Sequence, residues 1–136
     1  MLQRFLVVCC ALVLVVAATS CQKPLEVTGT ATFRGRGALP VGAVLEVQLA
    51  DVSRTNAPAV ILAKKTYNSL AAPPYPFVLR PDARDLNPHG IYAVQARIVV
   101  DGKLYMVNKR RVTVNKTDPT KPLVVHLDPV PTTIGE

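Results

Sequence analysis

The chain has 136 residues and a formal charge of +7, from 16 Lys and Arg against 9 Asp and Glu, which is room for one domain and not two. Three Cys, two of them adjacent in an apolar leader, exclude a disulfide framework and a Cys-ligated zinc or iron–sulfur centre, and two His exclude a three-His metal site. Twelve Pro suit short strands and turns better than helices.

Met1 to Arg4 carries one positive charge, and Phe5 to Ala18 has no polar residue. As a helix those 14 residues would reach about 21 Å, short of the ~30 Å hydrocarbon core of a bilayer. The length fits a signal peptide rather than a resident membrane span. Small residues then lead to Cys21, so Ala18-Thr19-Ser20-Cys21 resembles the lipobox of a bacterial lipoprotein. The position three before the Cys is Ala18, where the pattern prefers Leu. The resemblance implies cleavage after residue 20 and lipidation of Cys21, with acyl chains such as palmitate fixing the chain to a membrane. Gln22, in place of the Asp that retains such proteins in the inner membrane, implies the outer membrane, with the domain facing the periplasm. A plain secretory leader cut near Ala18 and an uncleaved anchor are the alternatives. Removal of the leader takes away only Arg4, which leaves 15 − 9 = +6.

Residues 21–24 form the lipidated Cys and a short tether, and 25–128 form the domain. Leu25 to Phe33 alternates, with Leu25, Val27, Gly29, Ala31 and Phe33 on one face. Arg34 to Gly42 is turn-rich. Ala43 to Asp51 alternates again, and Val60 to Tyr67 is a third strand whose later part carries the Lys64-Lys65 pair. Asn68 to Pro76, with three Pro, is no central strand. Phe77 to Arg80 is a short strand, and Pro81 to Gly90 a loop. Ile91 to Asn108 is a hairpin about Asp101-Gly102, a pair suited to the positive φ of a type I′ turn. Counting outward pairs Val100 with Lys103, Ile98 with Tyr105 and Ala96 with Val107, which puts Tyr105 and Val107 in the core. Arg111 to Val114 and Leu123 to Leu127 are the last strands, and 129–136 reads as a flexible tail. The expected fold is all-β: an antiparallel two-sheet β-sandwich, Ig-like or transthyretin-like, of seven or eight short strands after an N-terminal signal helix.

Several pieces fall in a familiar order: Cys21, the run from Gly29 to Pro40, Leu45 to Ser53, Asn56 to Ala59, Pro76 to Leu79, Tyr92 with Ala96-Arg97-Ile98, and Gly102 to Tyr105. Together they resemble the YbaY/YscW family of Gram-negative envelope lipoproteins, over about Gly29 to Val114. Members often carry Arg-Glu-Arg where this chain has Arg34-Gly35-Arg36. The resemblance implies an outer-membrane lipoprotein with a β-sandwich domain. Some members act as pilotins, which bind a secretin of the type III secretion apparatus and carry it to the outer membrane.

No catalytic constellation stands out. His89 lies near Asp82 and Asp85, which would allow a general base, but a turn-capping role is the simpler reading. Asp51 before Ser53 suits a local backbone hydrogen bond. His126 points to solvent by its place in an alternating run. No glycine-rich loop is followed by Lys-Ser/Thr, so a phosphate cradle is absent from the sequence. The expectation is therefore a non-enzymatic protein with no cofactor, no metal, no small-molecule substrate and no nucleic-acid partner. Lys109, Arg110 and Arg111 form the densest basic cluster, and Arg34 and Arg36 a second. These five residues are the candidate contact patch. They suit a secretin or another envelope protein, or, on the alternative reading, membrane or cell-wall material met by an envelope structural or stress-related lipoprotein. A solvated set of charges protecting strand edges is the plainest account of them.

Overall fold

The computed structural model describes residues 25–35, 38–115 and 117–131. Eight strands carry the fold: β1 (Val27–Phe33), β2 (Ala43–Asp51), β3 (Val60–Tyr67), β4 (Tyr75–Leu79), β5 (Tyr92–Val100), β6 (Lys103–Val107), β7 (Val112–Thr113) and β8 (Leu123–Pro129). Among the described residues the one helical element is a single 3₁₀ turn, Ala83–Asp85. No helix there is long and apolar enough to cross a membrane. The leader, the lipobox and Cys21 lie outside the described residues, as do Arg36 and residues 132–136.

The hub is the antiparallel pair β2–β5, in continuous register from Ala43 opposite Val100 to Asp51 opposite Tyr92. Partners across a ladder share a face, so the alternation of the two strands coincides. Leu45, Val47 and Leu49 therefore meet Ile98, Ala96 and Val94, and all six are buried. Val27, Ala31, Phe77, Leu79, Val125 and Leu127 close the core from the other side.

The strands follow one path, β3-β2-β5-β6-β8-β1-β4, with β7 on the edge of β5. Here the structure differs from the expected two-sheet sandwich. β8 lies parallel to β1 over Gly29–Leu123 to Phe33–Leu127. It then continues past Leu127 and pairs with β6 at Val107–Asp128 and Met106–Pro129. Those last two residues join what would have been separate sheets into a curved, nearly closed barrel-like sheet. Alternation cannot separate the two architectures, because both bury one face of every strand. At the remaining seam the Tyr67 hydroxyl on β3 accepts a hydrogen bond from the Val78 amide on β4 at 3.1 Å.

Two strands differ locally from expectation. β4 starts at Tyr75 and includes Pro76, which is tolerated because β4 ends the path and pairs only with β1. In the hairpin, Asp101 and Gly102 take φ of 50° and 77°, and Val100 faces Lys103 as expected. After Val99–Leu104 the register shifts: Ile98 faces Met106, and Arg97 faces Val107. Tyr105 is the extra residue of a β-bulge, so it turns outward and Met106 takes the core position expected for it. The expected pairs Ile98–Tyr105 and Ala96–Val107 do not form. β8 runs through Pro129, and the Val130 amide donates to the Tyr105 carbonyl at 3.1 Å.

Gly29 sits where β1, β8 and the Phe77 ring converge. A Cβ there would collide with the Leu123 carbonyl and come within 2.8 Å of the Phe77 ring. Backbone on a paired strand yields little, so Gly29→Ala is expected to cost roughly 1–3 kcal/mol, as overpacking does. Urea denaturation measures it; an unchanged midpoint would contradict the close approach of β1 and β8.

Candidate functional site

The outer face of β2 and β5 is polar and self-neutralising. Glu46 sits opposite Arg97 in the ladder, and its carboxylate accepts from Arg97 Nε and lies 3.8 Å from Lys64 Nζ. Next along, Gln48 donates to Gln95 at 2.7 Å. This is the floor of a groove.

The wall comes from the far edge of β5, which no single strand covers. β6 pairs with Arg97 to Val100, and β7 with Ala93 and Val94. Asn108 fills the interval. Its backbone amide donates to the Ala96 carbonyl at 3.2 Å, and its side-chain oxygen accepts from the Ala96 amide at 2.9 Å. The side-chain amide nitrogen donates to the Arg110 carbonyl at 3.0 Å. One side chain thus replaces a backbone carbonyl in the ladder and ties the following turn to it. Lys109, Arg110 and Arg111 are thereby thrown outward as an exposed basic loop. Between loop and floor is a depression of about 360 Å³, with Leu104 and Val107 among its lining residues.

A second depression of about 310 Å³ is lined by Arg34, Arg110, His126 and Asp128. Arg34 follows β1 and Arg110 follows β6, far apart in sequence. The parallel β1–β8 pairing and the short β6–β8 pairing bring them together. Arg110 lines both depressions. Of the five expected patch residues, four therefore fall in one region, and Arg36 lies outside the described residues. Among the described residues, Lys64, Arg80, Arg84 and Arg97 each reach a carboxylate, whereas Arg34, Lys109, Arg110 and Arg111 reach none, as is also true of Arg54, Lys65, Lys103 and Lys121 elsewhere on the surface.

The other titratable candidates serve the backbone. Asp82 caps the 3₁₀ turn by accepting from the Arg84 amide at 3.0 Å. Arg84, donating from its guanidinium as well, holds the Asp82 carboxyl down at about 2. The exposed His89 donates its backbone amide to the Asn87 side chain at 2.9 Å. Asp51 accepts from the Ser53 hydroxyl and amide, which lowers its pKa, and the Ser53 hydroxyl accepts from the Ile91 amide at 2.8 Å. No group of three His, Cys, Asp or Glu able to hold a metal occurs among the described residues. Asn108 is the residue that sequence reasoning missed. Its position just before Lys-Arg-Arg, at the end of an alternating run, was the available signal.

The fold is thus an all-β sheet with an exposed basic loop beside a groove. The chain belongs to the type III secretion system lipoprotein chaperone (YscW) family, whose model matches residues 22–126. It is 37% identical over 87 residues to the uncharacterized lipoprotein YbaY of Escherichia coli (strain K12). That match covers 63% of this chain and 45% of the relative, so the chain spans under half of that protein's length. It also resembles the solved structure of an alternative pilotin from the type II secretion system of Vibrio cholerae, with a TM-score of 0.72 and 37% identity. The likeness covers 79% of this chain and 98% of that one.

Asn108→Ala strands the Ala96 amide and frees the basic loop. The expected loss of stability is about 1–3 kcal/mol, that of a part-buried donor left without its partner. Chemical denaturation reads it, and a change within error of zero would contradict the ladder role.

Proposed function

We propose that this chain is a non-enzymatic, lipid-anchored chaperone of a secretin subunit: a pilotin held at the periplasmic face of the outer membrane. The observation that carries this reading is the likeness to the solved pilotin over 98% of that protein's chain. Membership of a lipoprotein chaperone family points the same way. Cys21 is the lipidation site. Several acyl chains on one residue, at ~0.8 kcal/mol per buried CH₂, would make the anchoring close to permanent. Tethering raises the concentration of the domain around a membrane-bound partner without a new contact. Lys109, Arg110, Arg111, Arg34 and Arg36 are the contact patch.

The second reading, an envelope lipoprotein acting on anionic membrane or wall material, draws on the same basic residues. One strain set separates the two. Deletion of the gene, or Cys21→Ser, is expected to reduce secretin multimers in the outer-membrane fraction by about tenfold, with re-expression of the native chain restoring them. Normal multimer assembly in the deletion strain would remove the secretin role.

A further inference from the structure

Among the surfaces of the described residues that could receive a partner are the outer edge of β4, the outer edge of β3 and the groove over β5. The β4 edge is blunted. Val78 directs its amide to that edge, where the Tyr67 hydroxyl takes it, and Pro76, two residues before, has no amide hydrogen. The β3 edge presents Val60 and Ile61 but also Lys64 and Lys65, residues that resist strand addition. β5 is paired on both sides over its length, by β2 on one and by β6, Asn108 and β7 on the other. A partner on the groove must therefore lie across the face and engage through side chains.

We propose that the groove between the β5 face and the Lys109–Arg111 loop receives an acidic, amphipathic segment of a protein partner. This inference deepens the secretin-chaperone reading and rests on it for the partner's identity. Charge complementarity argues for the acidic side. The carboxylate lining the groove, Glu46, is already engaged by Arg97 and Lys64, so the unbalanced charges facing an incoming chain are Lys109, Arg110 and Arg111. Arg34 extends the cationic surface beyond Arg110, beside His126 and with Asp128 the one carboxylate lining that depression. Leu104, 45% exposed, supplies with Val107 an apolar seat in the same groove. An amphipathic segment places its apolar side there and its acidic residues along the loop.

The position along β1 favours a protein over lipid headgroups. The described chain enters the domain at Leu25, just before β1, whereas Arg34 follows the other end of that strand. Seven residues of strand put them about 20 Å apart. A lipid on Cys21 would hold the entry end at the bilayer, and with β1 upright on it the basic surface would lie beyond a Debye length of ~8 Å from the headgroups.

The test uses the native protein reconstituted in nanodiscs of neutral phosphatidylcholine. The probe is a fluorescent synthetic amphipathic Glu/Leu peptide, with a Lys/Leu peptide as control. The Glu/Leu peptide is expected to bind, the control not to, and the Lys109→Gln, Arg110→Gln, Arg111→Gln variant to weaken binding about tenfold or more. All three side chains are exposed, so the variant keeps its fold, which circular dichroism checks. Equal binding of both peptides, or none, or full binding by the variant, would overturn the proposal. So would loss of binding in nanodiscs containing phosphatidylglycerol, which would mean that headgroups occupy the site. Peptides tiling the secretin subunit are then used as competitors. Competition by acidic tiles supports site and partner together. Binding of the Glu/Leu peptide with no competing tile keeps the site and overturns the secretin as its occupant.

Discussion

The hydrogen bonds between Asn108 and Ala96 decide where the basic surface is. A strand edge left open beside the core would expose unsatisfied amides, so β5 has to be covered along its length. β6 covers one part and β7 another, and the chain between them must cross from one to the other. By lending its side-chain oxygen to the Ala96 amide, Asn108 lets the backbone leave the ladder without leaving it unpaired. The residues that leave are Lys109, Arg110 and Arg111. Local ladder repair and a projecting cationic wall are thus one structural event.

Closure of the sheet has a matching consequence. β8 joins β1 to β6, and Tyr67 latches β3 to β4, so little of the sheet edge remains as a template for another strand. A domain closed in this way meets partners on its faces. It also holds Arg34, Arg110 and His126 on one depression, because the β1–β8 and β6–β8 pairings fix the three segments relative to one another. This geometry suits a chaperone that grips one segment of a subunit, the role proposed for this member of the family.

Much of the sheet was legible. The bounds of β2 follow from alternation, since Leu45, Val47 and Leu49 stand against Glu46 and Gln48, and those of β3 follow from a β-branched and apolar run set between polar loops. The Asp101-Gly102 turn follows from the need for positive φ. The bulge at Tyr105 was not legible, because no glycine or other residue type marks it, and one extra residue reversed the faces of everything after it in β6. The barrel-like closure was also hidden: it depends on Asp128 and Pro129 pairing with β6, a contact that no local pattern encodes. Of the site, the sequence displayed the Lys-Arg-Arg run. It did not display the groove beside it, nor the meeting of Arg110 with Arg34, because both are products of pairing between distant strands.

Backbone hydrogen exchange at Ala96 tests the central claim most directly. In the native chain its amide should be as slow to exchange as those of its paired neighbours in β5. In Asn108→Ala it should become fast while the amides paired with β2 stay slow. Unaltered protection at Ala96 in that variant would show that something else closes the ladder, and that the basic loop is not held in place by Asn108.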